Sequence, residues 1–352
     1  MVTSAPESAS HEGPCAVTAI VVNFNGGRDL GRCLAALCNQ LPQSNILVVD
    51  NASTDDSVQR AVERWPQVRV LASDTNLGFG GGANLGAAAA ADGTLLFLNP
   101  DTLVLPGCVA RLHEALIGRV GVVGPMLWVG EGEVAEQGAT IDVAGMPRGL
   151  VEPNPPLYVP GCCLATTKRC FDIVGGFDPR YFLFVEDVEY CWQALRRGYD
   201  VRVVATAEAY HRGGGSISGG YARGGGLEVS VTRIVLRERN TTAMFVACVP
   251  AKLLPLVAGA SVLRGGAFAG LLASRGHWSG VWRLVVGLGQ NVLWLPETVR
   301  RRRRPGATAV SGRAAWQRVV PGLFLWDYVH ARMPVRFMDQ VSGSFTGGRR
   351  GH

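Results

Sequence analysis

The sequence predicts an α/β protein with a mostly parallel sheet flanked by helices, followed by a helical C-terminal region. Short β-branched or apolar runs alternate with segments of helical periodicity, which is the pattern of βαβ units. Asn, Asp and Gly cluster where the runs end. The 352 residues are 47% hydrophobic and 18% charged, which excludes a disordered chain and allows a sizeable core.

The first half of the chain predicts four strands, at residues 17–23, 45–50, 68–71 and 95–98. Leu30, Leu34 and Leu37 recur at helical spacing after the first strand. Ser53-x-x-Asp56 approximates a capping box and predicts a second helix after the second strand. A glycine-rich loop at residues 76–86 precedes an alanine-rich helix that ends near residue 91.

The second half predicts a helix from Pro106, a strand at 120–123, and a variable crossover or flap at 131–156. Residues 159–167 return to the sheet, and 201–205 form a last strand. Between them, Glu186 opens a helix that Gly198 closes. The glycine-rich segment 211–226 is expected to be mobile and to close over a bound substrate.

Asn99-Pro100-Asp101 follows a strand that reads as buried on both faces. Pro100 favours an extended Asn99, so Asp101 emerges at the carboxyl edge, where open α/β sheets bind ligands. A carboxylate there, close to the Asn99 side chain, is suited to hold a divalent cation and, through it, a diphosphate. The alternative is a simple turn closed by Asp101.

Glu186 and Asp187 form a second chemical centre, because they follow an aromatic run and lie at the start of a predicted helix. The helix dipole alone favours carboxylates at this position. Partial burial by Tyr181 and Phe184 would also raise a carboxyl pKa toward that of a general base. Glu189 is expected on the solvated face of the helix.

Three further features have two interpretations each. Asp50, at a strand end, either caps the next helix or accepts hydrogen bonds from a nucleobase or ribose. The glycine-rich loop allows close backbone approach, and its amides at a helix N-terminus suit a phosphate or sugar hydroxyls. It contains Gly81-x-Ala83-x-x-Gly86, a loose form of the dinucleotide fingerprint, but this follows the third strand instead of the first. His211 is either an ordinary loop histidine or completes a metal shell with Asp101.

In order and character, these motifs resemble those of the inverting nucleotide-sugar glycosyltransferases of family 2, which have the GT-A fold. The resemblance covers about residues 15–242 and is carried by Asn25, Asp50-Asn-Ala-Ser, the segment Asn76 to Asn84, Asn99-Pro-Asp101, Gly175-Gly-Phe-Asp178 and Glu186-Asp187. The most similar branch is the bacterial rhamnosyltransferase-like enzymes of cell-wall and polysaccharide assembly.

The resemblance implies a role for each matching position. Asp187 would be the catalytic base, and Asp101 would bind Mg²⁺ or Mn²⁺ on the donor diphosphate. His211 lies outside the matching motifs and is the second metal ligand under its metal-shell interpretation. The substrate-binding set would comprise Asn25, Asp50, Gly81, Gly82, Asn84, Asn99, Asp101, Glu186 and Trp192. Asn99 stands where the fuller motif has Asp, so the chain lacks a second metal-binding carboxylate at that point.

The reaction implied is transfer of a sugar from a nucleotide donor, with dTDP-rhamnose as one candidate, to a hydroxyl of a lipid-linked acceptor such as a polyprenyl diphosphate sugar. One carboxylate base and no protein nucleophile predict inversion in a single displacement. Two rival interpretations are an NAD(P)-dependent oxidoreductase, which rests on the glycine segment, and a catalytically dead scaffold docked on a membrane.

Charged residues are distributed unevenly along the chain. Residues 1–231 carry 16 basic and 24 acidic side chains, whereas residues 232–352 carry 18 basic and 4 acidic ones. The basic part is apolar and glycine-rich from residue 243, yet interruptions such as Pro255 and Arg264 leave no clean apolar run of about 20 residues. A Trp-rich apolar segment at 281–296 precedes the run Arg300 to Arg304.

This tail predicts helices that lie on an anionic membrane surface, at the cytoplasmic face of the cell membrane. Packing on the catalytic domain is the alternative. Nucleic-acid binding is disfavoured because the aromatic residues lie inside apolar stretches. The predicted organisation is a disordered leader at 1–14, a transferase domain at 15–242, an apolar helical region with a basic end at 243–305 and a tail at 306–352. The nine scattered cysteines predict reduced, buried thiols in a cytosolic protein.

Overall fold

A computed structural model describes residues 17–129, 134–150, 154–212, 219–223, 226–321 and 335–338. The chain forms a mixed α/β structure with one large curled sheet between layers of helices. The strands are β1 Val17–Asn23, β2 Ile46–Asp50, β3 Arg69–Ala72, β4 Thr94–Leu98, β5 Thr102–Val104, β6 Val120–Val129, β7 Val134–Glu136, β8 Ala139–Ile141, β9 Pro147–Gly149, β10 Cys163–Thr167, β11 Asp200–His211, β12 Gly219–Arg223, β13 Gly226–Ser230 and β14 Val335–Met338.

The helices begin with those that flank the first four strands and end with a group of long C-terminal ones. They are α1 Gly27–Cys38, α2 Ser57–Arg64, α3 Gly78–Ala88, α4 Cys108–Glu114, α5 Lys168–Val174, α6 Glu186–Arg196, α7 Val231–Cys248, α8 Leu254–Ser274, α9 Trp278–Arg302 and α10 Ala309–Trp316. The expected α/β alternation of the first half is therefore present.

The large sheet has the strand order β3-β2-β1-β4-β10-β6-β11-β5, and β7 pairs with β6. The pairs β1–β2, β1–β4, β2–β3 and β6–β11 are parallel. β10 runs antiparallel to both β4 and β6, and β5 runs antiparallel to β11. The carboxyl ends of β1, β2, β4 and β11 consequently bring Asn23, Asp50, Asn99 and His211 to one side of the sheet.

Alternating side chains of the central strands supply two cores, one on each face of the sheet. Ile20 and Leu47 belong to the core that includes residues of α3, α5 and α6. Val21 and Val48 belong to the core that includes residues of α1 and α4. Each strand of this pair is buried on both faces, which is why its sequence is an unbroken apolar run.

The glycine-rich segment differs from its prediction as a loop. Its residues from Gly78 onward are the first turns of α3. A Cβ on Gly82 would lie 2.7 Å from Val22 Cγ1, and one on Gly86 would lie 2.4 Å from Ile20 Cγ2. These glycines therefore allow α3 to pack closely on β1.

The predicted capping box is wrong. α2 begins at Ser57 after Asp56, which makes no side-chain cap hydrogen bond. The Ser53 hydroxyl instead accepts hydrogen bonds from the Asn25 backbone N–H (3.0 Å) and from Asn23 Nδ2 (3.1 Å). Ser53 thus ties the loop after β2 to the loop after β1.

α7 spans residue 242, so no break separates the C-terminal helices from the preceding part of the chain at that position. Among the described residues, Ala251–Ser274 is long and apolar enough to cross a membrane by length and composition, with 33% of its most apolar stretch buried. The interruptions that the sequence shows nevertheless lie within this segment. Lys252 and Pro255 fall at its start, and Arg264 is its one charge within α8.

Several predictions fall outside the described residues. These are the disordered leader at 1–14, much of the glycine-rich segment 211–226, and most of the tail beyond residue 321. Within that glycine-rich segment, His211 ends β11, and β12 and β13 are antiparallel partners.

Candidate active site

Asp101 and His211 lie side by side, which agrees with one of the two interpretations of His211. Asp101 occupies the turn between β4 and β5, and β11 pairs with β5 so that His211 is opposite Thr102. The distance from His211 Nε2 to Asp101 Oδ1 is 3.2 Å. Burial lowers the pKa of His211, but the Cys162 sulfur and the Asp101 carboxylate outweigh it and raise this pKa to about 11. Burial raises the pKa of Asp101, whereas His211 lowers it, and the net shift is downward.

Glu186 and Asp187 begin α6; Glu186 is buried and Asp187 is half-buried. Asp187 Oδ2 accepts a hydrogen bond from the Gly161 backbone N–H at 2.9 Å. Burial raises the pKa of Asp187, although this hydrogen bond and the charge of Arg237 oppose the shift. Glu186 Oε2 has no hydrogen-bond partner within the described part of the chain.

The two adjacent carboxyl groups are not equivalent. Burial and the charge of Asp187 raise the pKa of Glu186 well above its ordinary value. Asp187 keeps backbone N–H donors, which favour its charged form. The pair therefore carries its negative charge on Asp187, which is the arrangement that a carboxylate base requires.

A cavity of about 410 Å³ connects the two centres. Glu186, Asp187, His211 and Asn99 all line it. Since His211 contacts Asp101, the carboxylate at residue 101 lies directly behind the cavity wall, and the acid at residue 187 faces the same space. Other lining residues include Phe79, Tyr158, Gly161, Phe184, Arg233 and Arg237.

Asn25 and Asp50 lie at the same edge of the sheet but do not line this cavity. Asn25 Oδ1 accepts hydrogen bonds from the backbone N–H groups of Thr54 (2.7 Å) and Asp55 (3.2 Å). Asp50 Oδ1 accepts one from the Ser53 backbone N–H (3.0 Å). Both side chains order the loops at the ends of β1 and β2, and their substrate-binding roles stay predictions.

Asn84, Gly81, Gly82 and Trp192 lie away from the cavity lining. Asn84 donates to the Phe177 carbonyl (2.9 Å) and accepts from the Phe177 N–H (3.0 Å), so both ends of its amide are engaged. Trp192 is completely buried and stacks on Trp316, with ring centroids 6.2 Å apart. Gly82 packs closely on Val22 of β1. The substrate-binding roles of these four residues stay predictions.

Glu189 is completely buried, whereas the sequence predicted that it lies on the solvated face of the helix. Its Oε2 lies 2.6 Å from Arg301 Nη2 of α9. Arg301 also approaches Asp178 Oδ2 at 3.6 Å and donates to the Gly176 carbonyl at 3.1 Å. The C-terminal helices are therefore joined to the helix that carries Asp187.

The arginine run 300–304 is accordingly divided between the interior and the surface. Arg302 Nη1 donates to the carbonyls of Val246 (2.7 Å) and Val249 (2.8 Å). Arg300 and Arg303 are exposed. The prediction of one solvated or lipid-facing basic cluster is therefore wrong in part.

Arg233 and Arg237 were missed by sequence reasoning. They lie four residues apart on α7, so they share a helix face, and both line the cavity. The Arg233 guanidinium also packs on the Phe184 ring at 5.0 Å from its centroid. The four-residue spacing was visible in the sequence, but the periodicity alone did not place this helix beside Asp187.

Comparisons with known proteins agree with this architecture. The model of the glycosyl transferase family 2 matches residues 18–169. The chain is 32% identical to an N-acetylglucosaminyl-diphospho-decaprenol L-rhamnosyltransferase of Mycobacterium tuberculosis, in a match that covers 54% of this chain and 74% of the relative.

Two solved structures share the fold. One is S. aureus TarS 1-349 in complex with UDP-GlcNAc, with a TM-score of 0.51, 16% identity, and coverage of 86% of this chain and 90% of the other. The other is GalNAc-T7 with UDP, GalNAc and Mn²⁺, with a TM-score of 0.50, 16% identity, and coverage of 57% of this chain and 44% of the other. These similarities support the GT-A fold.

Proposed function

Because the chain belongs to glycosyltransferase family 2, we propose that it moves a sugar from a nucleoside diphosphate to a hydroxyl group of a lipid-linked glycan, with inversion. It is a glycosyltransferase that uses a nucleotide-sugar donor. The observation that carries the finer proposal is the single cavity lined by both Asp187 and His211, the latter in contact with Asp101. Proton removal and diphosphate binding can therefore occur in one space.

In the proposed step, Asp187 takes the proton of an acceptor hydroxyl while the hydroxyl oxygen forms a bond to the anomeric carbon. The bond from that carbon to the diphosphate oxygen breaks on the opposite face, and the nucleoside diphosphate leaves with the electron pair. The raised pKa of Asp187 makes its carboxylate a stronger base than the carboxylate of an exposed aspartate. The Gly161 N–H orients the carboxylate through Oδ2.

Asp101 and His211 would hold the Mg²⁺ or Mn²⁺ of this reaction. A carboxylate oxygen and an imidazole nitrogen 3.2 Å apart can both reach one cation, which would displace the proton of the imidazole, and the imidazole suits Mn²⁺ better than Mg²⁺. The described residues contain no group of three or more His, Cys, Asp and Glu side chains that could hold a metal ion. Donor oxygens and water would therefore complete the shell, and the cation would offset charge on the leaving diphosphate.

The relative from Mycobacterium tuberculosis is named as an L-rhamnosyltransferase that acts on a decaprenol-linked acceptor. We infer a similar substrate class here, with dTDP-rhamnose as the first donor to test and a polyprenyl diphosphate sugar as the acceptor. Arg233 and Arg237 support this inference, because their positive charge in the cavity suits phosphate-bearing substrates.

The C-terminal helices suit docking on the cytoplasmic face of the cell membrane. They expose a set of large apolar side chains: Leu256, Val262, Leu263, Trp278, Trp282, Val285, Val286, Val292, Leu293 and Leu295. α8 is joined to α7 by the buried pair Arg264–Glu238, at 2.7 Å. A helix anchored in this way supports an interfacial position more than an independent membrane span.

The experiment that tests the proposed function is a panel of nucleotide sugars incubated with the full chain, with and without Mn²⁺. Release of nucleoside diphosphate should depend on the cation and be fastest with one donor. Asp187→Asn should keep donor binding and lower turnover by orders of magnitude. Equal loss of binding and turnover in that variant would contradict the role of Asp187 as the base.

A further inference from the structure

We propose that Asn240 of α7 is a positioning residue for the transfer reaction. Its amide group fixes the turn at residues 181–185, and this turn sets the direction in which Glu186 and Asp187 enter the cavity. The inference rests on the proposed function, because it takes Asp187 as the base. Asn240 touches no reacting atom and acts through the backbone that precedes α6.

The backbone of this turn has dihedral angles that residues with a side chain rarely adopt. Phe182 has φ 65° and ψ −65°, and the Leu183 N–H donates to the Tyr181 carbonyl across it at 2.7 Å, closing a three-residue turn. Phe184 and Val185 have φ 70° and 75°. Non-glycine residues with positive φ persist where the surrounding structure holds them in place.

Asn240 provides much of that support. It is completely buried, and its Nδ2 lies 2.9 Å from the Tyr181 carbonyl oxygen, 2.8 Å from that of Leu183 and 2.9 Å from that of Phe184. Its Oδ1 accepts a hydrogen bond from Arg239 Nε at 3.0 Å. This bond fixes the orientation of the amide, so Nδ2 faces the three carbonyls.

α3 holds the remaining carbonyl of the turn from another side. The Phe182 oxygen accepts a hydrogen bond from the Phe79 N–H at 2.9 Å. A Cβ on Gly78 would lie 2.0 Å from the same oxygen, so only glycine allows this approach. The next carbonyl, that of Val185, already accepts from the Glu189 N–H within α6. The Tyr181 carbonyl also accepts a hydrogen bond from Arg239 Nη2 at 3.0 Å. Asn240, Arg239 and α3 together therefore supply hydrogen-bond donors to the carbonyls of residues 181–184.

The turn lies close enough to Asp187 to affect catalysis. Leu183, Phe184 and Val185 line the cavity, and Asp187 lies two residues beyond the turn. A displacement of about 1 Å in a reacting group can lower a rate by roughly 100-fold. Releasing the turn should therefore harm proton transfer more than it harms donor binding at Asp101 and His211.

The test compares Asn240→Ala with Asn291→Ala in the full chain. Asn291 is a matched control, because its Nδ2 donates to the Arg239 carbonyl of α7 (3.1 Å) and not to the turn. For Asn240→Ala we expect kcat per folded molecule to fall about 100-fold, with donor KM within about threefold of wild type. Asn291→Ala should keep the wild-type kcat. Thermal unfolding gives the folded fraction of each variant.

A rescue experiment separates positioning from general packing. Glycine adopts the backbone of residue 182 with little steric cost, so Phe182→Gly should restore about tenfold in kcat to Asn240→Ala. If Asn240→Ala does not fold, Asn240→Ser, which keeps one donor, is compared with Asn291→Ser in the same way.

A folded Asn240 variant with wild-type kcat, or one that no substitution at residue 182 rescues, would overturn the inference. Failure of the proposed function would differ, because Asp187→Asn would then retain full turnover.

Discussion

Replacing Arg301 by Met should remove the counter-charge of two buried carboxylates. Arg301 is 5% exposed, and its guanidinium lies 2.6 Å from Glu189 Oε2 and 3.6 Å from Asp178 Oδ2. Asp178 keeps Arg180 as a partner, whereas within the described residues Glu189 keeps the Gln193 amide at 2.9 Å as its remaining hydrogen-bond donor. The loss is therefore concentrated on Glu189.

Removing one partner of a buried pair costs about 3–5 kcal/mol, because the other charge is left in the interior. We expect a loss of this size in the free energy of unfolding for Arg301→Met, measured by urea denaturation at pH 7. Adding Glu189→Gln should recover about half of it, since the uncompensated charge is then absent. Arg303→Met, at an exposed neighbouring position, should change stability by less than about 0.5 kcal/mol.

A loss below about 1 kcal/mol in Arg301→Met would refute this reasoning. So would a double variant less stable than the single one. Either result would mean that Glu189 finds water or another donor when Arg301 is absent, and that α9 is not joined to α6 through this ion pair.

The other predictions concern one titrating group, the metal site and the membrane surface. Glu186 has a raised folded-state pKa, so the stability it contributes is present below its unfolded pKa of about 4.5 and is lost as pH rises. Glu186→Gln should therefore gain stability over wild type as pH rises above about 5, by up to about 1.4 kcal/mol per pH unit. A pH-independent difference in thermal unfolding would contradict this. His211→Ala should weaken Mn²⁺ binding in the presence of nucleoside diphosphate at least about tenfold by calorimetry, and an unchanged Kd would exclude His211 as a ligand. Trp278→Ser with Trp282→Ser should reduce flotation with anionic vesicles, whereas an equal bound fraction with both proteins would argue against α9 as the docking surface.

The strand pattern and the two acidic centres could be predicted because each depends on local sequence. Apolar runs that end in Asn or Asp define strand ends, and parallel strands bring those ends to one edge. The same reasoning placed Asp101 near His211, although it extended β11 only to residue 205.

Interactions over long sequence separations could not be predicted. Glu189 looked solvated because its partner Arg301 lies 112 residues away on a helix of unknown direction. Gly82 looked like part of a phosphate loop, because the sequence does not reveal that Val22 leaves no room for a Cβ. In both cases the role of the residue depends on the side chains that pack against it.

The continuity of α7 across residue 242 decides how a shortened protein can be made. A fragment that stops at the compositional change would end two residues past Asn240 and would lose Arg301, the counter-ion of Glu189. Crystallisation or expression trials that trim the apolar end should therefore stop beyond residue 304. Solubility is better sought by polar replacements at exposed positions such as Leu293, which is 80% exposed.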